Sequence, residues 1–271
     1  MAGNYRTPGV YVEEISKLPP SVAQVETAVP AFIGYTEKAE KDGKNLHDGP
    51  KDAQSKLIPT PVRITSILDY VAHFGGAPRP GSIEVDLLAN NSVSGVNITP
   101  QWYLYYSLQM FFANGGGKCY IVSVGDYDDN DLPDKDALIS GIEAIKKIDE
   151  PTLLVVPDAV ILSSDDEIAS VQQTMLAQCA QLKDRFALLD IKHADQEVYN
   201  KEEVDTFRDK IGINDLDYGA AYFPWLKTTL SLDFSFSQIA FNKGSSSKIP
   251  YENVSGQSDL VKDLKNVVVD K

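Results

Sequence analysis

The chain has 271 residues, enough for one large domain or two ordinary ones with a well-buried core. Hydrophobic residues make up 43% and charged residues 24%, close to the soluble globular average, which excludes wholesale disorder. Twenty-five Lys and Arg stand against 39 Asp and Glu, a net charge of −14. That charge repels phosphate backbones and anionic lipid headgroups, so nucleic acid and membrane surfaces are excluded as main partners and something basic is the better electrostatic match.

The N-terminus lacks a basic segment followed by an apolar run, so it does not read as a secretory signal. No stretch reaches the roughly 18 apolar residues of a membrane-spanning helix. Tyr5, Pro8 and Gly9 form a turn signal, and VYVEEI (10–15) follows as a β-prone segment. Val10 and Val12 point one way; Tyr11, Glu13 and Ile15 point the other, with Glu14 between them. Pro19 and Pro20 then force an extended connection. Two readings stay open for this segment: a strand added to the sheet edge of a neighbour, or an ordinary first strand of its own sheet.

VPAFIGY (29–35) reads as a buried strand, and 38–65 as an insertion or long loop. Ser66 is placed to cap a short helix holding Ile67, Val71 and Phe74, stopped by Gly75 and Gly76. Residues 77–100 are turn-rich. From 101 to 225 the pattern is clearest. QWYLYYSLQMFFA (101–113) is apolar nearly all round, as in a buried helix, and Asn114 to Gly117 stop it. Strands follow at 119–124, 152–159, 186–191 and 218–225. Between them run helical stripes of Leu138, Ile142, Ile145 and Ile148, then Ile168, Val171, Met175, Cys179 and Leu182, then Val204, Phe207 and Ile211. Apolar strands alternating with helices of this length imply parallel βαβ units: an α/β fold with a mostly parallel sheet sandwiched by helices. The expected organisation is an arm and linker at 1–20, a core from 21–37 and 101–271, and a loop-rich insertion or subdomain at 38–100. Beyond it, 229–241 alternates like an amphipathic strand.

Chemical signatures are sparse. The GGGK at 115–118 ends a helix and precedes a strand, the reverse of a phosphate loop, and Cys119 stands where Ser or Thr would follow. The acidic run 126–136 has Asp131 and Ala137 at the sixth and twelfth positions from Asp126, where a calcium loop needs Gly and Glu. Asp134 and Asp136 suit the first turn of the next helix. Cys119 and Cys179 share no metal-ligand spacing and read as packed apolar residues, and His47, His73 and His193 are scattered. No metal and no cofactor is expected. Asp158 and Asp190 lie near strand C-termini, where open α/β sheets place ligands, and are the best candidates for an enzyme site. No histidine partner, nucleophile elbow or dinucleotide loop accompanies them.

YRTPGVYVEEIS (5–16), TAVPAFIGYTEKA (27–39), FFANGGGKCYIVSV (111–124) and YGAAYFPWL (218–226) together resemble the sheath proteins of contractile phage tails. Among these, the sheaths of phage-tail-like contractile injection systems are the most similar. The resemblance implies a non-enzymatic subunit, made in the bacterial cytoplasm, that stacks as six-subunit rings into a helical sleeve around an inner tube. Baseplate and cap proteins would be its other partners, and the finished particle would work outside the cell. The arm residues Tyr5, Pro8, Gly9, Val10, Tyr11, Val12, Glu13, Glu14 and Ile15 would be exchanged with a neighbouring subunit. Contraction would drive the tube through a target membrane, without stable membrane insertion of the sheath. Members of that family continue into an Arg/Gly-rich C-terminal region, and nothing after Pro250 matches it. The resemblance therefore implies a subunit lacking that part. The rival readings are an α/β enzyme built on Asp158 and Asp190, and a sheath-like baseplate or cap component.

Overall fold

A computed structural model describes residues 28–51, 53, 56–78, 82–89, 92–99, 102–127, 132–193, 201–231, 239–244 and 246–249. The arm residues, Tyr5 to Ile15 by number, lie outside the described residues. In chain order the strands and helices are β1 (Pro30–Thr36), β2 (Glu40–Lys41), β3 (Lys44–Asn45), β4 (Val62–Ile64), α1 (Ile67–Phe74), β5 (Ser82–Leu87), β6 (Val93–Thr99) and α2 (Leu104–Ala113). They continue with β7 (Cys119–Asp126), α3 (Lys135–Ile145), β8 (Leu153–Val155), α4 (Asp165–Leu182), β9 (Phe186–Asp190), α5 (Lys201–Ile211), β10 (Gly219–Tyr222), β11 (Ile239–Lys243) and β12 (Ser246–Ile249).

The main sheet runs β10-β9-β8-β1-β7-β4. Strands β7, β1, β8, β9 and β10 are mutually parallel, and only β4 runs antiparallel, against β7. Every residue of β1 is buried, as expected of a central parallel strand covered on both faces. Its alternation sorts the two faces. Ala31, Ile33 and Tyr35 join Val122, Leu154 and Ala187 under α3 and α4, with Ile211 of α5 in the same cluster. Phe32 points the other way and packs with Ile121, Cys119, Tyr70, Phe74, Leu104 and Leu108 under α1 and α2. Chain order against spatial order makes the sheet doubly wound: from β1 the chain reaches β7 on one side, then crosses back to β8 on the other.

Three departures from the sequence pattern have local causes. The expected strand at 152–159 is only Leu153–Val155, because Pro157 cannot donate to a ladder and opens a 3₁₀ turn, Pro157–Ile161. In α1, Ser66 does accept the Asp69 N–H at 3.1 Å, but Tyr70 and Phe74 fill the core while Val71 is 39% exposed. The turn-rich stretch 77–100 holds the hairpin β5–β6, which joins β11 and β12 in a second sheet, β12-β11-β5-β6. Ile83, Val85 and Leu87 form that sheet's small core with Ile239 and Phe241, the register pairing Ile83 with Ile239 and Val85 with Phe241.

Helix α3 approaches the sheet closely because Gly141 offers no side chain. A Cβ there would lie 2.5 Å from Ile33 Cγ2 and 2.7 Å from Val124 Cγ1. Gly141→Val is expected to destabilise the fold by about 2–3 kcal/mol through overpacking. Urea unfolding checks this; an unchanged midpoint would show that the helix can retreat at no cost.

Candidate functional site

Doubly wound sheets bind ligands where the strand order reverses, beyond the strand C-termini, which here is the crevice between β1 and β8. The chain's own backbone fills it. Asp158, in the 3₁₀ turn that follows β8, is 0% exposed. Its Oδ2 accepts the Tyr35 N–H at 2.9 Å, and its Oδ1 accepts the Tyr103 and Leu104 N–H groups at 2.7 and 3.2 Å. The Tyr35 amide is available because the β1–β7 register shifts between Gly34 and Thr36. Helix α2 needs the carboxylate because its own cap residue, Tyr103, makes no side-chain capping bond. Asp158 is thus an N-cap delivered from 54 residues along the chain. Gly34 makes room for it, since a Cβ there would stand 2.3 Å from Oδ2. Above the node, the Tyr35 and Trp102 rings pack at 4.5 Å, and Trp102 stacks on Tyr127 at 6.0 Å.

Burial pushes the Asp158 carboxyl up to about 6, against the pull of the three N–H donors. The folded chain then binds this proton more readily than the unfolded chain. The contribution of Asp158 to stability is full below about pH 4 and declines as pH rises to about 6.

Asp190, the other strand-end acid, is not brought to Asp158. It closes β9, opposite Tyr222 of β10, and lines a groove of about 540 Å³ between α2 and the segment after β10. Tyr103, just before α2, and Tyr106 and Met110 of α2 line it together with Tyr222, Pro224 and Trp225, and the Tyr103 and Trp225 rings meet edge to face at 5.7 Å. The Asp190 main-chain carbonyl accepts the Gln172 amide at 2.7 Å. Among the described residues no cation and no donor reaches its carboxylate, which burial shifts upward from the usual range. Trp225 Nε1 is likewise buried without an acceptor among the described residues. The sequence predicts a helix buried nearly all round at 101–113; in the fold only Leu104 and Leu108 of α2 are fully buried, and its flank borders this groove.

A third constellation escaped the sequence pattern. Thr36 Oγ1 donates to the Lys38 carbonyl at 2.7 Å and lies 2.6 Å from Ser123 Oγ. Ser123 Oγ is 2.8 Å from His47 Nε2, and His47 Nδ1 is 3.0 Å from Asp126 Oδ1. The serine–imidazole–carboxylate distances are those of a nucleophilic triad. The setting is different: Ser123 is 4% exposed, its hydroxyl is held between Thr36 and His47, and it lines neither the groove nor the small crevice between α4 and α5. The network straps the 3₁₀ turn Leu46–Asp48 onto the ends of β1 and β7. No spacing could have revealed it, because His47 lies 76 residues from Ser123 in a stretch without periodicity.

The remaining candidates are structural. The run Gly115 to Gly117 sits at the C-terminus of α2, where Gly116 N–H bonds the Phe111 carbonyl and Gly115 has φ +85°. Lys118 pairs with Glu150 at 2.8 Å. Asp134 caps α3 through the Asp136 N–H, and Asp136 meets Lys56 at 2.6 Å. His73 Nδ1 donates to the Glu40 main-chain carbonyl, 2.9 Å away. Burial pushes both thiols, Cys119 and Cys179, up to about 12. Among the described residues no group of three or more His, Cys, Asp or Glu is placed to hold a metal, and no helix is long and apolar enough to cross a membrane. No protein-family model matches the chain, and no curated protein matches it.

Asp158→Ala strands three backbone donors and should cost about 3 kcal/mol or more, with the Tyr103 and Leu104 amides exchanging faster. Native-state hydrogen exchange reads this directly, and unaltered protection of α2 would refute the capping role. The stability gap between wild type and this variant should narrow as pH rises from about 4 to about 6, the window set by the upward shift.

Proposed function

We propose that this chain is a structural subunit of the contractile sheath of a phage-tail-like particle, polymerising as stacked hexameric rings around an inner tube and shortening to drive that tube through a target membrane. The observation that carries the reading is the joint occurrence, in one order, of four sequence blocks at 5–16, 27–39, 111–124 and 218–226. The described fold supports it by where those blocks fall. The second supplies β1, near the middle of the sheet, the third most of its neighbour β7, and the fourth β10 at the edge. Rigid-body sliding during contraction demands a body that does not deform, and the buried Asp158 node ties β1, α2 and the turn after β8 into one unit. In this reading the subunit is made in the bacterial cytoplasm, and the arm at 5–15 engages a neighbouring copy through main-chain hydrogen bonds. A sleeve that is assembled long and shortens on a trigger has two packings separated by a kinetic barrier.

A sheath-like baseplate or cap component is the neighbouring alternative, and subunit stoichiometry in the particle separates the two. The enzyme reading draws on two observations, the Asp190 groove and the Ser123–His47–Asp126 distances. The first would need a reacting group beside Asp190, and the second an opening onto Ser123. A fluorophosphonate probe that labels wild type but not Ser123→Ala would favour a hydrolase over a sheath.

The expected outcome for the sheath is that full-length protein forms striated sleeves by negative-stain microscopy, alone or with its tube protein. Persistent monodispersity under both conditions would overturn it. Deleting residues 1–16 should leave circular dichroism unchanged and abolish sleeves; sleeves of normal abundance would refute the arm assignment.

A further inference from the structure

The two faces of the main sheet are not covered alike. On the face of α3 and α4, Leu154, Ala187 and Leu189 are buried. On the opposite face, α1 and α2 cover β1 and β7, and Val155 packs at their margin. Farther out, Phe186, Leu188 and Ala220 stay half-buried and Tyr222 is 63% exposed, with no described helix above them. Parallel sheets occur almost only with both faces covered, and among the described residues nothing covers this outer part of the face. The groove at its edge says what kind of occupant suits it. Asp190 presents a half-buried carboxylate that no described cation or donor reaches. Around it stand Tyr103, Tyr106, Tyr222 and Trp225, four aromatic rings whose faces attract cations, with Met110 adding an apolar wall. Trp225 Nε1 has no acceptor among the described residues, and the chain as a whole carries −14.

We infer that this groove docks a basic, apolar peptide segment of a partner, seating one lysine or arginine side chain on Asp190 among the aromatic side chains that line the groove while its apolar neighbours cover Phe186 and Leu188. A carboxylate partly removed from water gains most from a pairing cation, and the aliphatic stem of Lys or Arg lies well along tyrosine and tryptophan rings. The acidic surface steers such a segment inward from a distance. An apolar segment alone would leave the carboxylate unpaired, and an acidic one would be repelled. The inference stands apart from the sheath reading, because it rests only on the groove and is tested without assembly.

The test uses the full chain, labelled with ¹⁵N, and two capped tripeptides, Leu-Lys-Leu and Leu-norleucine-Leu. The chain has two tryptophans, so the indole region holds two signals, and Trp225→Phe assigns them. The lysine peptide should shift the Trp225 signal saturably, leave that of buried Trp102 in place, and bind about tenfold tighter than the norleucine peptide. Asp190→Asn should reduce that preference to about twofold or less, whereas Asp205→Asn, an exposed acid on α5, should keep it. Equal binding of the two peptides by wild type, or an undiminished preference in Asp190→Asn, would overturn the inference. So would the absence of any Trp225 shift at about 5 mM peptide. Trp225 shifts that track protein concentration without peptide would also overturn it, in favour of a second copy as the occupant.

Discussion

One buried carboxylate holds the centre of this molecule. Asp158 accepts hydrogen bonds from β1 and from the first turn of α2 while being itself part of the turn that ends β8. A fully buried charge is tolerated only where donors replace its lost hydration, and three backbone N–H groups do that here. The geometry of the neighbourhood follows. Gly34 cannot carry a Cβ, β1 must break its register with β7 to free the Tyr35 amide, and Pro157 must stop β8 so that the next residue turns inward.

The same node decides what the sheet does not do. In an open α/β sheet the reversal of strand order leaves a crevice suited to a ligand. Here the end of α2 and the Tyr35–Trp102–Tyr127 ring cluster occupy it. Asp158 is therefore spent on architecture. Polar chemistry that remains open to solvent is displaced to Asp190, on the rim of a groove whose aromatic walls suit recognition more than catalysis. The strap of Thr36, Ser123, His47 and Asp126 ties the turn Leu46–Asp48 to the ends of β1 and β7.

Much of the fold is legible in the sequence. The stripes Leu138-Ile142-Ile145 and Ile168-Val171-Met175-Cys179 become the buried faces of α3 and α4, because a helix against a sheet repeats its contacts every turn. The strands at β1 and β7 read correctly because strands covered on both faces are continuously apolar; β9 reads correctly from its apolar run, although only one of its faces is fully buried. The stretch 101–113 reads less well: nearly all of α2 is apolar, yet only one face of it meets the core, and nothing local says which. The hairpin β5–β6 reads as turns because Gly, Ser and Asn interrupt its alternation and its partner β11 lies about 150 residues away.

The sequence by itself determined that this is an α/β protein with a mostly parallel sheet, that it is strongly acidic, and that Asp158 and Asp190 stand near strand ends. These are consequences of local periodicity and composition, which act over a few residues. Only the tertiary structure decided the strand order β10-β9-β8-β1-β7-β4, the sealing of the reversal crevice, and the opposite fates of the two acids. Each of those depends on contacts between groups far apart in the chain, such as Tyr35 with Asp158 or His47 with Ser123. A carboxylate's role is set by the donors, rings and water around it, and those are brought together by folding.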